Sequence, residues 1–98
     1  MLSKCIAIKH ERTKGSDDGL ANSWVASPIK VAKQDYVLEV EGKTNKVSRI
    51  FKLDGFSFNK VSGRTSLELG EEILNSDLIG TELPIRGRNP VHYCKAEV

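Results

Sequence analysis

The chain reads as a small, mainly β domain of barrel-like architecture with one short helix. Three observations predict it. Short apolar segments alternate with polar positions along most of its length, the pattern of strands with one buried face. Gly, Pro, Asn and Asp punctuate those segments at close intervals, as turns require. Only one stretch, near residue 70, has a helical composition.

The elements follow in order. Residues 3–11 alternate, with Ile6, Ile8 and His10 on one face, and predict a first strand. Residues 13–22, TKGSDDGLAN, are polar and Gly-rich and predict a loop. Residues 23–26, around Trp24 and Val25, predict a short strand closed by Pro28, which cannot donate to a ladder. Residues 29–32 predict another short strand. Residues 36–41 alternate and end at Gly42, with a turn through Asn45. Residues 46–61 contain Asp54-Gly55 between two alternating runs, a favoured two-residue hairpin turn. That turn sets Leu53 opposite Phe56 and Phe51 opposite Phe58. Residues 69–77, LGEEILNSD, predict the helix, with acids suited to its positive N-terminal end. Residues 81–86 and 91–96 predict closing strands. A meander of seven or so short strands fits an SH3-like or Sm-like β-barrel, with an OB-like barrel as the alternative.

Ninety-eight residues with 39% hydrophobic and 29% charged content suit one globular domain. No apolar run approaches the roughly 20 residues that span a bilayer. The apolar start is short and alternates as a strand does, unlike a signal peptide, so the expected location is cytoplasmic, away from membranes. The net charge of +2 is small, but its distribution is uneven. Residues 43–64 hold six bases and one acid, and residues 65–82 hold five acids and no base. Such segregation either steers a charged partner or neutralises itself across the fold.

Four segments, Ile8-Lys9-His10, Trp24-Val25-Ala26-Ser27-Pro28, Asp35-Tyr36-Val37-Leu38 and Arg49-Ile50-Phe51-Lys52-Leu53-Asp54-Gly55-Phe56, stand in an order that resembles the WYL domain of bacterial regulators and defence-associated proteins. Ile8-Lys9-His10 matches its first-strand pattern. Trp24-Val25-Ala26-Ser27-Pro28 matches its Pro-ended strand, and Asp35-Tyr36-Val37-Leu38 its W-Y-L strand. The most specific match is Arg49-Ile50-Phe51-Lys52-Leu53-Asp54-Gly55-Phe56, set against R-x-F-x-L-D-R-I. Asp35, His10 and Gly55 stand where the family has Trp, Tyr and Arg. The resemblance covers about residues 5–58. It implies an Sm-like barrel that binds a nucleic-acid or nucleotide ligand, with Arg49, Tyr36 and His10 as contacts.

The residues themselves supply further candidates. Arg49 either grips phosphate bidentately or pairs with Glu39 or Glu41 on the preceding strand. Lys52 and Lys60 flank the aromatic run, and Arg86 with Arg88 forms a compact basic spot before Pro90. The Phe residues and Trp24 are core or stacking faces. Cys5 and Cys94 lie near opposite ends of the chain and meet if the terminal strands pair. No Cys/His spacing predicts metal, no phosphate-binding Gly loop or nucleophile elbow is present, and no cofactor is expected.

The expected function is therefore a non-enzymatic nucleic-acid-binding or nucleotide-sensing module, for single-stranded DNA or RNA. The alternative is a protein-interaction module, such as a small phage or mobile-element inhibitor or an accessory subunit. A homo-oligomer built through the first or last strand as an exposed edge is compatible with either.

Overall fold

A computed structural model describes residues 2–10, 20–22, 24–87 and 89–98. Most of the predicted 13–22 loop, including Asp17 and Asp18, lies outside them, as do Ser23 and Arg88. The described elements are β1 (Ser3–His10), α1 (Pro28–Val31), β2 (Tyr36–Glu41), β3 (Val47–Asn59), β4 (Arg64–Glu72) and β5 (Val91–Ala96). The strands form one sheet in the order β4-β3-β2-β1-β5. All neighbours are antiparallel except β1 and β2, which run parallel.

Each face of the sheet has its own apolar layer. Ile6, Ile8, Val37 and Phe51 point to one face, where Leu20, Trp24 and Val31 from the β1–β2 crossover cover them. Cys5, Ala7, Leu38 and Ile50 point to the other. There Ile73, Leu78, Ile79, Leu83 and Ile85, from the chain between β4 and β5, pack against them. Covering on both faces explains why residues 5–8 and 37–40 are buried without a break. Full burial of one such aliphatic side chain stabilises the fold by about 1.5–3 kcal/mol.

The expected closed barrel does not form: β4 and β5 are the two edges of an open sheet. A strap crosses the first face instead. At one end, Trp24 exchanges backbone hydrogen bonds of 2.8 Å with Thr65 of β4. At the other, Lys30 Nζ sits 5.7 Å from the centre of the Tyr93 ring on β5. β1, one of the two strands expected at an edge, is interior; β5 is an edge as expected.

Five local expectations change. Asp54-Gly55 is not a turn but the middle of β3, and Gly55 pairs with Glu68. Phe56 faces Leu67 and Phe58 faces Thr65 as a result. The turn lies at 60–63, where the Asn59 side-chain oxygen accepts N–H bonds from Val61 and Ser62. Gly63 closes it with φ +69°, a conformation open to Gly without a Cβ clash. The predicted helix at 69–77 is instead the end of β4 and an irregular segment: Thr65, Leu67 and Leu69 alternate inward, and that period of two prevails over the clustered acids. The strand predicted at 29–32 is the single turn of α1, because Pro28 at the first helical position is already held at a helical φ. The described part of the strand predicted at 23–26, residues 24–26, holds one bridge at Trp24, and the strand predicted at 81–86 reduces to one bridge between Lys46 and Glu82.

The basic β3 region and acidic β4 region are neighbouring strands, so part of the charge segregation is cancelled locally. Lys52 Nζ lies 3.5 Å from Glu71 Oε2. Among the described residues no helix is long and apolar enough to cross a membrane.

Candidate functional site

Arg49 and His10 meet on the first face of the sheet, at Glu39. Glu39 and Arg49 are cross-strand partners in the β2–β3 ladder, and Ile8, one turn of the pleat from His10, is the β1 partner of Glu39. Arg49 Nε donates to Glu39 Oε1 and its terminal nitrogen to Oε2, both at 2.9 Å. His10 Nε2 lies 3.2 Å from Oε2, and the Ser48 hydroxyl donates to Oε1 at 2.9 Å. The guanidinium also lies 5.2 Å from the Phe51 ring centre, and the His10 ring stands 5.8 Å from that of Trp24. Burial alone would raise the Glu39 carboxyl, but hydrogen bonds from Arg49, Ser48 and His10 hold it below its ordinary range. Of the two roles open to Arg49, the ion pair is the one formed.

Tyr36 and Lys52 are also brought together, as direct partners on β2 and β3. They line an open cleft of about 380 Å³ with Ser3, Gln34, Leu53, Asp35 and Asp54. Two carboxylates there oppose the approach of a phosphate. Lys60 stands exposed in the β3–β4 turn, on a separate element.

A second basic surface surrounds β5, with Asp35 beside it at the Lys4 backbone. Lys4 of β1 and Lys95 of β5 are direct partners across the antiparallel ladder, so two like charges project side by side. Lys33, just after α1, joins them around an open cleft of about 280 Å³ with Gln34, Tyr93 and Cys94. Lys30 covers the Tyr93 ring, which keeps 36% exposure. Over the β5 edge a second cleft, of about 210 Å³, adds Arg86 and shares Tyr93, Cys94 and Lys95 with the first. Lys4, Lys30, Lys33, Lys95 and Arg86 are all exposed, and none forms an ion pair among the described residues. Like charges placed opposite each other in a sheet destabilise it. The arrangement therefore costs stability unless an anion compensates.

Compared with known proteins, the chain matches no family model, no curated sequence and no solved structure.

Of the predicted contacts among the described residues, only Arg86 belongs to this basic surface. The lysines form no sequence motif because they are scattered: Lys4 and Lys95 lie near the two ends of the chain, and Lys30 and Lys33 near its first third. The available signal was pairing of the terminal strands, which places Lys4 beside Lys95 once Cys5 is set opposite Cys94. Among the described residues, no group of three or more His, Cys, Asp or Glu side chains converges to hold a metal.

Proposed function

We propose that the chain is a non-enzymatic nucleic-acid-binding module that takes single strands along the β5 edge. The observation that carries this is the direct apposition of Lys4 and Lys95 with no carboxylate partner among the described residues. Lys30, Lys33 and Arg86 extend the positive strip and would neutralise successive phosphates. Tyr93, 36% exposed, would offer a base a stacking face once the Lys30 ammonium over its ring turns to a phosphate. A protein partner is the second reading; a strip of five cations fits a polyanion better.

The WYL-type kinship belongs to the same proposal. The kinship would call for a closed barrel, whereas here a strap from Trp24 to Lys30 spans an open sheet from β4 to β5. In this proposal the ligand surface moves from Arg49 and His10 to the lysines, since Glu39 engages the former pair.

Fluorescence anisotropy with single- and double-stranded DNA and RNA at two salt concentrations is the test. Tighter binding of single strands is expected, with log K falling against log salt at a slope near −3 for about four to five phosphates neutralised. A flat response to every oligonucleotide would discard the proposal in favour of a protein partner.

A further inference from the structure

β1 and β5 bring together the two cysteines of the chain. Cys5 and Cys94 are direct partners in the antiparallel ladder, and both thiols are free. Opposed residues in such a ladder have Cα separations of roughly 4.5–5.5 Å. Disulfides span Cα separations of roughly 4.4–6.8 Å, so the backbone already holds the pair at bonding range. The two sites are unequal. Cys5 is fully buried, its sulfur 3.5 Å from the Ser3 carbonyl oxygen. Cys94 is partly exposed and lines the 210 Å³ cleft walled by Leu83, Pro84 and Ile85. Arg86 and Lys95 bring positive charge to that cleft. His92 lines it too, and its Nε2 is buried without a hydrogen-bond partner among the described residues.

We infer that Cys94 is a thiol–disulfide exchange site for an anionic low-molecular-weight disulfide, with Cys5 as the resolving thiol. The inference is independent of nucleic-acid binding. The Cys94 thiolate attacks one sulfur of the disulfide RSSR, forms Cys94–S–SR and releases one RS⁻. Cys5 then attacks the Cys94 sulfur, expelling the second RS⁻, which takes up the Cys5 proton and leaves as RSH. Two electrons pass from the cysteine pair to RSSR, and the pair ends as a cross-strand disulfide. The two thiols differ in the sense this order needs. The hydrogen bond from Cys5 lowers Cys94 to about 7 against its burial. The same contact, with burial, pushes Cys5 up. The cations at the cleft favour an anionic disulfide over a neutral one.

The test treats the reduced full-length chain with oxidised glutathione, then with an alkylating maleimide under native conditions, and reads intact mass. Loss of both alkylatable thiols, with no glutathionyl group retained, is the expected result for the wild type. Cys5→Ser should trap one glutathionyl group on Cys94, and Cys94→Ser should accumulate none. A neutral aromatic disulfide run in parallel should react more slowly. Wild-type protein that keeps a free Cys94, or retains glutathione as a stable adduct, would overturn the inference. This wild-type reading holds even if the buried Cys5→Ser variant fails to fold.

Discussion

Arg49 and Glu39 face each other across the β2–β3 ladder as a two-pronged ion pair, with both hydrogen bonds at 2.9 Å. Only 9% of the Glu39 side chain is exposed, so its charge depends on that partner. Truncation as Arg49→Ala leaves a buried carboxylate uncompensated, a change that typically destabilises by about 3–5 kcal/mol. Partial exposure of Arg49 puts the expected loss at about 3 kcal/mol, read from urea unfolding. Oligonucleotide affinity of the folded fraction should stay the same. Unchanged stability with lost binding would return Arg49 to the ligand surface.

The same carboxylate makes the protein acid-sensitive. Its folded value lies below the ordinary 4.5, despite burial, because Arg49, Ser48 and His10 hydrogen-bond the ionised form. A depressed folded value adds stability that is complete above 4.5 and is lost as pH falls through the folded value. Urea midpoints measured across the acid range should fall for the wild type. They should fall less steeply for Glu39→Gln, which starts from a lower plateau. Parallel profiles for the two proteins would show that Glu39 is not the group responsible.

Lys95→Glu separates binding from stability. It turns the like-charged Lys4–Lys95 pair into an attractive one, worth about 0.2–1 kcal/mol in a sheet. The melting temperature should rise while single-strand affinity drops and the salt slope shrinks by about 0.7 or more. A variant that is both less stable and unaltered in binding would remove the β5 strip as the ligand surface.

Two glycine-to-alanine changes test the β3–β4 register. Gly63 has φ +69° and Gly55 has no positive φ. Gly63→Ala should cost roughly 1–2 kcal/mol. At Gly55 the added Cβ would lie 2.6 Å from the Glu68 carboxylate oxygen, the far end of a side chain that can swing aside. Gly55→Ala should therefore be close to neutral in thermal unfolding. The reverse order of costs would restore a turn at Asp54-Gly55.

Cysteine reactivity should be lopsided and tied to pH. Maleimide labelling of the reduced protein should modify Cys94 with a half-maximal rate near pH 7, set by the Cys5 hydrogen bond. Cys5 should label only on unfolding. Equal labelling of both thiols in the native state would contradict their assigned difference.

The strands whose alternation runs uninterrupted were legible: residues 3–10, 36–41 and 91–96 lie where their pattern puts them. Long β3 was not, because Asp-Gly carries a strong turn preference that its pairing on both flanks overrides. Leu53 N–H bonds the Asp35 carbonyl on one side, and Leu53 pairs with Leu69 on the other. With a turn at Gly55, the run Thr65, Leu67, Leu69 has no strand to pair with, and its period of two carries no weight. The basic strip failed for a different reason. Its side chains come from elements remote in sequence, and only the order β2-β1-β5 brings Lys33, Lys4 and Lys95 to one edge. The Arg49–Glu39 alternative was readable, since adjacent alternating strands place a base opposite an acid.

The clasp between Trp24 and Thr65 has a consequence for self-association. An unpaired edge strand offers its N–H and C=O groups as a template for another chain. On β4 the backbone groups of Thr65 are already taken, so that edge is blocked partway along its length. Trp24 is the sole tryptophan, 3% exposed, with its ring N–H bonded to the Leu20 carbonyl at 2.6 Å. Release of the clasp would expose the indole and uncover the template together. A red shift in the intrinsic fluorescence of this protein would thus mark release of the clasp, the event that bares the β4 edge.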